Sequence, residues 1–341
     1  MRNHNPKKME YRRFVETVPK MRYDGSMSPE RWQQIAREKL RELLGFDFME
    51  QCEPDFKMEE VKEYTDFTEK WFSFQSEPGY YVPGCILIPK EHTEALKPMI
   101  CIQGHSKGMH ISLGRPKYDG DEKTISGGDR DYALRALANG YCPVMIEQRY
   151  MGVCGGDAEG PGCCAQEREG TASALPTLLL GRCAIGERVW DVCRLIDIME
   201  EHFPELDSAN ISCMGNSGGG TVTFYASCID QRIRNAVPSC AVCSFYESIV
   251  SIHHCACNYV PQIARYFDMG DLGGLIAPRR LVVVAGKEDP IFPMVGVKKA
   301  FGTIRDFYKT MDCEEKVSLV IGEGGHRFYA SLAYGELNRE R

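Results

Sequence analysis

The sequence has few of the features that mark membrane-spanning, nucleic-acid-binding or repetitive proteins. No apolar stretch approaches the roughly 18 residues that a membrane-spanning helix needs. The chain also lacks a long run of lysine and arginine, and its 41 basic and 48 acidic side chains give a net charge of −7. This balance argues against nucleic acid or an anionic membrane surface as the main partner. No internal repeat or low-complexity segment stands out, so we expect one compact unit with an N-terminal extension.

A recognisable secretory signal is also missing. The first twenty residues, "MRNHNPKKMEYRRFVETVPK", are polar and basic and have no apolar centre, so we expect a cytoplasmic protein. The 16 cysteines are scattered along the chain and do not form the dense framework of a small secreted domain. Most of them are therefore predicted to be reduced thiols that serve as small buried apolar side chains.

The elements that can be predicted alternate as they do in α/β proteins. Residues 28–44 carry Ser28 as a helix cap, Pro29 in the first turn and Gly45 after the last turn, which predicts a helix in the extension. Two strands, "KWFSF" and "VPGCILIPK", follow it. Six further strands then alternate with helices: "MICIQ", "CPVMIEQ", "NISCMG", "NAVPSC", "RLVVVAG" and "KVSLVIG". This order predicts a mostly parallel sheet with helices on both faces, divided into an extension over residues 1–60 and a main domain over residues 61–341.

Two connections in this pattern are unusually long, namely residues 151–185 and residues 241–275. Loops of this length are uncommon inside a compact domain and usually carry function or form a lid. In an open parallel sheet, the loops that follow the carboxyl ends of the strands line the ligand crevice. We therefore expect both connections to border a binding site.

The segment "CMGNSGGGTV" places Ser217 among glycines, after a predicted strand and before a predicted helix. A G-x-S-x-G pentapeptide in this setting holds its serine on a strained turn, with the hydroxyl above the sheet. One alternative is a phosphate-binding turn, but the lysine of a P-loop and the dinucleotide spacing of glycines are both absent. Another alternative is a serine that only caps the helix. The pattern favours Ser217 as a nucleophile.

A serine nucleophile needs a base and a carboxylate that orients the base, and both follow in the sequence. Asp289 lies in "VVVAGKEDPIFP", after the fifth of the six strands, and Glu288 is the neighbouring alternative. His326 lies in "LVIGEGGHRFY", after the sixth strand. Both loops leave the sheet at the same edge as Ser217, so we expect the three side chains to converge.

The developing oxyanion of an acyl transfer needs hydrogen-bond donors, commonly two backbone amides. One is predicted to be the amide of Gly218, directly after the nucleophile. The other is predicted to be the amide of His105 in "QGHSKGMH", with Ser106 as the alternative. The residues predicted to line the substrate pocket are Ser106, Arg149, Asn216, His254 and Tyr259.

Six motifs together resemble those of the alpha/beta-hydrolase superfamily, and more narrowly its acetyl xylan esterase and dienelactone-hydrolase-like branch. They are "CIQGHSKGMH", "EQRYMGVCGG", "LLGRCAIGERVWDVCRLIDIM", "CMGNSGGGTVTFYA", "GKEDPIFP" and "GEGGH". The resemblance implies an alpha/beta-hydrolase fold over roughly residues 60–330, with Ser217 as nucleophile, Asp289 as acid and His326 as base. It implies hydrolysis of a small or carbohydrate-linked ester, with no metal or cofactor.

Two relatives within the superfamily fit this chain less well. Dienelactone hydrolases have cysteine at the position of Ser217. The peptidases usually carry a large propeller domain ahead of the hydrolase, and roughly sixty residues before the sheet cannot form one. An ester is therefore the favoured substrate, and a peptidase or amidase of the same fold remains the alternative.

A binder that reuses the fold without catalysis would be expected to lack a triad member, and none is missing. The oligomeric state is left open, with a homo-oligomer as one outcome.

The stretch "SCAVCSFYESIVSIHHCACNYVP" supplies an alternative from another class. Its zinc-ligand residue types are Cys240, Cys243, His253, His254, Cys255 and Cys257. A metal-binding or redox module is therefore open, although a second C-x-x-C and a spaced histidine pair are both absent. We favour a segment that packs against the site and lines the acyl or alcohol pocket.

Overall fold

A nine-stranded sheet lies at the centre of the computed structural model, which describes residues 5–92, 94–155 and 174–339 and the backbone of residues 162–163. Its strands are β1 (Lys57–Glu63), β2 (Phe67–Glu77), β3 (Tyr80–Pro89), β4 (Pro98–Ile102), β5 (Cys142–Ile146), β8 (Ile211–Asn216), β9 (Ile233–Ser239), β10 (Arg280–Gly286) and β11 (Val317–Gly322). Two short strands, β6 (Met151–Gly152) and β7 (Gly162–Cys163), form a separate ribbon. The spatial order of the large sheet is β1-β2-β3-β5-β4-β8-β9-β10-β11.

The part of the sheet from β5 to β11 is parallel, while β1, β2 and β3 pair in antiparallel fashion and β3 joins β5 in the same way. The central strands β4, β5 and β8 are buried at every position. Such strands read as continuous apolar runs because helices cover both faces of a parallel sheet. The predicted α/β fold with a mostly parallel sheet is confirmed.

Helices pack on both faces of this sheet. They are α1 (Pro6–Glu16), α2 (Pro29–Leu43), α3 (Asp121–Gly128), α4 (Tyr132–Ala138), α5 (Pro176–Leu179), α6 (Ala184–His202), α7 (Gly218–Ile229), α8 (Ile263–Tyr266), α9 (Met269–Gly273), α10 (Met294–Thr310) and α11 (Ala330–Leu337). Because successive strand residues point to opposite faces, β4 contributes to two cores. Ile100 and Ile102 pack in the cluster that includes α2, α6, α7 and α10, and Met99 and Cys101 pack in the cluster that includes α4 and α11.

The N-terminal extension packs directly on the main domain. Helix α2 begins after Ser28, whose hydroxyl accepts a hydrogen bond from the amide of Arg31 at 3.3 Å, as predicted. Gln33 of this helix donates to the carbonyl oxygens of Gly274 and Ala277, at 2.7 Å each. The division at residue 60 stays a prediction, and strand β1 runs across that position.

Strand β1 was not predicted from the sequence because "KMEEVKE" is polar on both of its faces. All seven of its residues are exposed, and it forms the edge of the sheet. Charged side chains on an edge strand hinder pairing with another chain. Because all of its residues are exposed, β1 lacks the alternation of apolar and polar residues that marks a half-buried strand.

Several cysteines are buried in the sheet. Cys85, Cys101, Cys142 and Cys213 are fully buried in strands, as expected for small apolar side chains.

In the described part of the chain, no helix combines the length and the apolar character needed to cross a membrane. Of the long connection 151–185, residues 156–161 and 164–173 lie outside the described residues.

Candidate active site

Ser217 occupies the turn between strand β8 and helix α7. Its backbone has φ 58° and ψ −125°, a combination that a residue with a Cβ adopts only under strain. Its amide donates to the carbonyl oxygen of Ser239 at 2.9 Å, which ties the turn to the end of β9. Within the described residues, the Ser217 hydroxyl caps no amide of the helix. The helix-cap alternative therefore has no support in this turn.

Glycines are required around Ser217 because the loop after β4 lies against the turn. A Cβ at Gly219 would lie 2.1 Å from the carbonyl oxygen of Ile102. A Cβ at Gly104 would lie 2.6 Å from the carbonyl oxygen of Asn216 and 3.2 Å from the Cβ of Ser217. The loop that carries His105 is thus packed directly beside Ser217.

His326 and Asp289 form a hydrogen-bonded pair. Nδ1 of His326 lies 2.8 Å from Oδ2 of Asp289. The other carboxylate oxygen accepts from the amides of Ile291, at 2.8 Å, and Phe292, at 3.2 Å. Glu288, the neighbouring alternative, is exposed. Of the two acidic residues in this loop, Asp289 is the one that contacts the imidazole.

Several effects set the pKa of Asp289. Burial would by itself raise the pKa, but the hydrogen bond and charge of His326 and the two loop amides outweigh burial and hold the pKa below its ordinary value. The carboxylate is therefore ionised near neutral pH. With Nδ1 facing that carboxylate, Nε2 is the ring nitrogen left to accept a proton from a nucleophile.

The acid–base pair lies above the strand next to that of Ser217. Cys240 directly follows β9, which pairs with β8 through Asn216 and Ser239. The Cys240 thiol donates to the carbonyl oxygen of Arg327 at 3.2 Å. Its sulfur, the Asp289 carboxylate and a ring nitrogen of His326 all lie within 4.8 Å of one another. His326 is thus brought over the end of β9, and neighbouring strands lie about 4.8 Å apart.

Ser217 follows β8, and His326, although it follows β11, lies over the end of β9, the strand beside β8. No hydrogen bond joins these two described residues. Catalytic hydrogen bonds are often long before substrate binds. The His326–Asp289 contact is present in the structure. The convergence of all three predicted triad members stays a prediction.

The predicted oxyanion amides lie on either side of the same turn. Gly218 is the first residue of helix α7, and an amide in the first turn has no acceptor within its own helix. A Cβ at Gly218 would lie 2.9 Å from Cε1 and Nδ1 of His105, so the imidazole covers this residue. Its Nε2 contacts Sγ of Cys257 at 3.0 Å.

Glu147 holds the loop that carries His105, a role that the sequence analysis missed. Its carboxylate accepts from Nε2 of Gln103 at 2.5 Å and from the amide of Met109 at 3.1 Å. Burial raises the pKa of Glu147 to about 7, although hydrogen bonds from the amides of Met109 and Val153 partly offset this effect. Glu147 lies in the motif "EQRYMGVCGG", but a single sequence does not reveal that its carboxylate is buried.

The predicted pocket residues have different surroundings. His254 lies near the acid–base pair, because its ring packs against Phe292, which stacks on His326. Its Nε2 is 2.9 Å from Oγ of Ser248. Burial, assisted by neighbouring histidines, lowers the pKa of His254 to about 4, so it is neutral. Tyr259 is partly exposed and donates to the carbonyl oxygen of Ile249 at 3.0 Å.

The other three pocket candidates are buried and make internal contacts. Asn216 accepts from the Ser239 hydroxyl at 2.9 Å, and the Ser106 hydroxyl lies 3.5 Å from the carbonyl oxygen of Gly108. Arg149 is buried, and its guanidinium contacts the carboxylates of Glu77 and Asp191. These contacts are internal to the fold, and a role in lining the pocket stays a prediction for all three.

The cysteine and histidine cluster divides differently from its order in the sequence. Cys240 joins Asp289 and His326, and Cys243 lies 3.7 Å from the carbonyl oxygen of Pro293. Cys255 and Cys257 instead meet His105, with their ligand atoms within 4.8 Å of one another. The C-x-x-C pair therefore does not join the later cysteines in one site among the described residues.

Known proteins resemble this chain in sequence and in fold. Residues 187–272 match the family "Acetyl xylan esterase (AXE1)". The protein named "Putative hydrolase YtaP" of Bacillus subtilis (strain 168) is 26% identical over 256 residues, which cover 73% of this chain and 77% of that protein. The family match relates the chain distantly to esterases.

Solved structures share the fold at lower sequence identity. A "putative acetyl xylan esterase" of Bacteroides fragilis NCTC 9343 superposes with a TM-score of 0.77 and 16% identity, over 94% of this chain and 83% of that chain. A glucuronoyl esterase from Solibacter usitatus superposes with a TM-score of 0.67 and 15% identity, over 94% and 97% of the two chains. These similarities identify the alpha/beta-hydrolase fold.

Proposed function

We propose that this chain is a serine esterase for short-acyl esters, chiefly acetyl esters of carbohydrates. Its resemblance to the acetyl xylan esterase branch of the alpha/beta-hydrolase superfamily supports this function. One observation carries the proposal. Ser217 stands on a strained strand-to-helix turn at the sheet edge where Asp289 holds the imidazole of His326. A nucleophile, a base and a group that orients the base are the parts that acyl transfer from an ester requires.

The reaction begins when the Ser217 hydroxyl attacks the ester carbonyl and His326 accepts the hydroxyl proton at Nε2. The ionised Asp289 keeps the other ring nitrogen protonated and stabilises the imidazolium that forms. The hydrogen bonds that Asp289 accepts from the following loop hold the carboxylate in one orientation. His326 then returns its proton to the leaving alcohol, and an acyl-enzyme remains on Ser217.

The tetrahedral intermediate carries a negative charge that the amides of His105 and Gly218 are proposed to bind. Removal of one such donor in other hydrolases lowers the rate by about 10²–10³. The amide of Gly218 also benefits from the positive end of helix α7. Water that gives its proton to His326 then attacks the acyl-enzyme and releases the carboxylic acid.

The substrate class rests on the comparisons. The matched family is described as acetyl xylan esterases, and the solved structures of this fold include acetyl xylan and glucuronoyl esterases by their names. An acetylated sugar is therefore the first substrate to test. Glucuronoyl esters and amide substrates form the other arms of the test.

The deciding experiment measures acetate release from acetylated xylo-oligosaccharides and from a chromogenic acetyl ester. The wild type should release acetate and react covalently with a fluorophosphonate probe. Ser217→Ala should lose the probe reaction and most of the activity. Ser126→Ala is a matched control, because this serine is exposed and its hydroxyl donates to the carbonyl oxygen of Glu122 in its own helix. Equal rates for wild type and Ser217→Ala would contradict the proposal.

A further inference from the structure

Three metal-ligand side chains meet at the predicted oxyanion loop, and none of these side chains takes part in the proposed reaction. His105 presents Nε2, and Cys255 and Cys257 present their sulfur atoms. The three atoms lie within 4.8 Å of one another, and Nε2 of His105 is 3.0 Å from Sγ of Cys257. Neither the acid–base pair nor the Ser217 turn accounts for this arrangement.

The fold brings these side chains together from distant parts of the chain. His105 follows strand β4 in the loop that packs on Ser217, whereas Cys257 lies 152 residues away in the long 241–275 connection. There a single helical turn, Ala256–Asn258, follows Cys255 directly and contains Cys257. Cys257 is only 1% exposed, and the other two side chains are partly buried.

The donor set matches the chemistry of thiophilic divalent ions. Two thiolates and one imidazole are the protein ligands of one known class of zinc site, in which a water or substrate takes the fourth position. Zinc binds sulfur at about 2.3 Å and nitrogen at about 2.0–2.1 Å, so tetrahedral donors lie roughly 3.5–3.8 Å apart. Donor atoms already within 4.8 Å of one another need only small side-chain movements to reach these distances.

The charge balance also suits such an ion. Two thiolates would neutralise a divalent cation. The ion would then add no net charge to a half-buried site. A neutral assembly avoids the cost of leaving a charge in a low-dielectric environment.

We propose that His105, Cys255 and Cys257 form a binding site for one zinc-class ion, which joins the His105 loop to the 241–275 connection. The ion takes no part in bond making at the ester. It fixes the imidazole of His105, and through it the backbone that carries the His105 amide. This last consequence rests on the proposed function, whereas binding of the ion does not.

The test uses the full chain, reduced and freed of metal by a chelator, and titrates it with Co²⁺ and with Zn²⁺. One equivalent of Co²⁺ should bind with the intense thiolate-to-cobalt absorption that sulfur ligands produce, and one equivalent of Zn²⁺ should displace it. Zn²⁺ should also raise the Tm, because a ligand that binds only the folded state stabilises it.

Cys255→Ser and Cys257→Ser should each weaken Co²⁺ binding by more than about tenfold, since loss of even an outer-shell partner can do so. Cys52→Ser is the matched control, because this half-buried thiol contacts the carbonyl oxygen of Gln75 instead. Circular dichroism confirms that each variant is folded, and Cys255→Ser, at the less buried thiol, provides a test if Cys257→Ser fails to fold.

Absence of the thiolate absorption in the wild type would overturn the proposed site, as would equal Co²⁺ affinity in wild type and Cys255→Ser. These readouts need no esterase activity. A wild-type chain that binds the metal but has no Ser217-dependent esterase activity would therefore contradict the proposed function alone. An active enzyme that binds no metal would contradict the proposed site alone.

Discussion

Nδ1 of His326 lies 2.8 Å from Oδ2 of Asp289, while Oδ1 of the same carboxylate accepts the amides of Ile291 and Phe292. The carboxylate is thus fixed from two directions. Because its pKa is held below the ordinary value, it remains ionised when His326 gains a proton. This contact determines which ring nitrogen of His326 is available to a nucleophile.

Asp289→Asn should lower kcat by about 10⁴, by analogy with the same change in a serine protease. The asparagine carbonyl oxygen can still accept the loop amides, which leaves its NH₂ group facing Nδ1 of His326. The imidazole must then carry its proton on Nε2 and cannot accept one from Ser217. Steady-state kinetics with an acetyl ester test this expectation, with the exposed Glu288→Gln as control. Similar losses in both variants would contradict the role of Asp289.

Glu147→Gln should remove a component of the pH dependence of stability. The pKa of Glu147 is about 7 in the folded chain and about 4.3 in an unfolded one. The folded state therefore binds more protons between these values, and this carboxyl makes the free energy of unfolding fall as pH rises from about 4.3 to about 7.

The measurement is urea unfolding of wild type and Glu147→Gln at pH 4.5, 6 and 8. Relative to the wild type, the variant should gain stability toward high pH by an amount on the order of 3 kcal/mol. A difference between the two proteins that does not change with pH would show that this carboxyl titrates normally.

Gly104→Ala should lower kcat by disturbing the Ser217 turn. The added methyl group would lie 2.6 Å from the carbonyl oxygen of Asn216, which is backbone and cannot rotate away. Gly127→Ala is a suitable control because a Cβ there meets nothing within 4 Å, and alanine favours its helix by roughly 0.8–1 kcal/mol. The kcat values of the folded variants decide the matter. Unchanged kcat in Gly104→Ala would mean that the two loops can separate without loss of activity.

Arg149→Ala should destabilise the fold by about 3–5 kcal/mol, because removal of one partner leaves buried charges uncompensated. The Arg149 guanidinium contacts Asp191 at 2.8 and 2.9 Å and Glu77 at 2.6 Å. Chemical unfolding measures the loss. Lys287→Ala breaks an exposed ion pair with Glu323 and should leave stability within error. Equal stability of Arg149→Ala and the wild type would contradict a structural role for this cluster.

The order of strands and helices and the turn at Ser217 could be predicted because they depend on local properties. Runs such as "MICI" and "LVVVA" are apolar throughout because both of their faces are buried. Gly215 and Gly219, on either side of Ser217, reflect a clash with the carbonyl oxygen of Ile102 in β4 that any larger residue would meet. Strand β1 escaped prediction because an exposed edge has no apolar face to reveal it.

Folding decides which cysteines and histidines become neighbours. Sequence proximity groups Cys240 with Cys255 and Cys257, yet Cys240 contacts the Asp289 loop and the other two meet His105. The carboxylate of Glu147 likewise becomes a buried anchor only when strand β5 brings it under the loop after β4. Such contacts join residues far apart in the chain through loops whose conformations no local pattern of apolar and polar residues specifies. The residues that bear the chemistry can therefore be read from the sequence, whereas their surroundings require the folded chain.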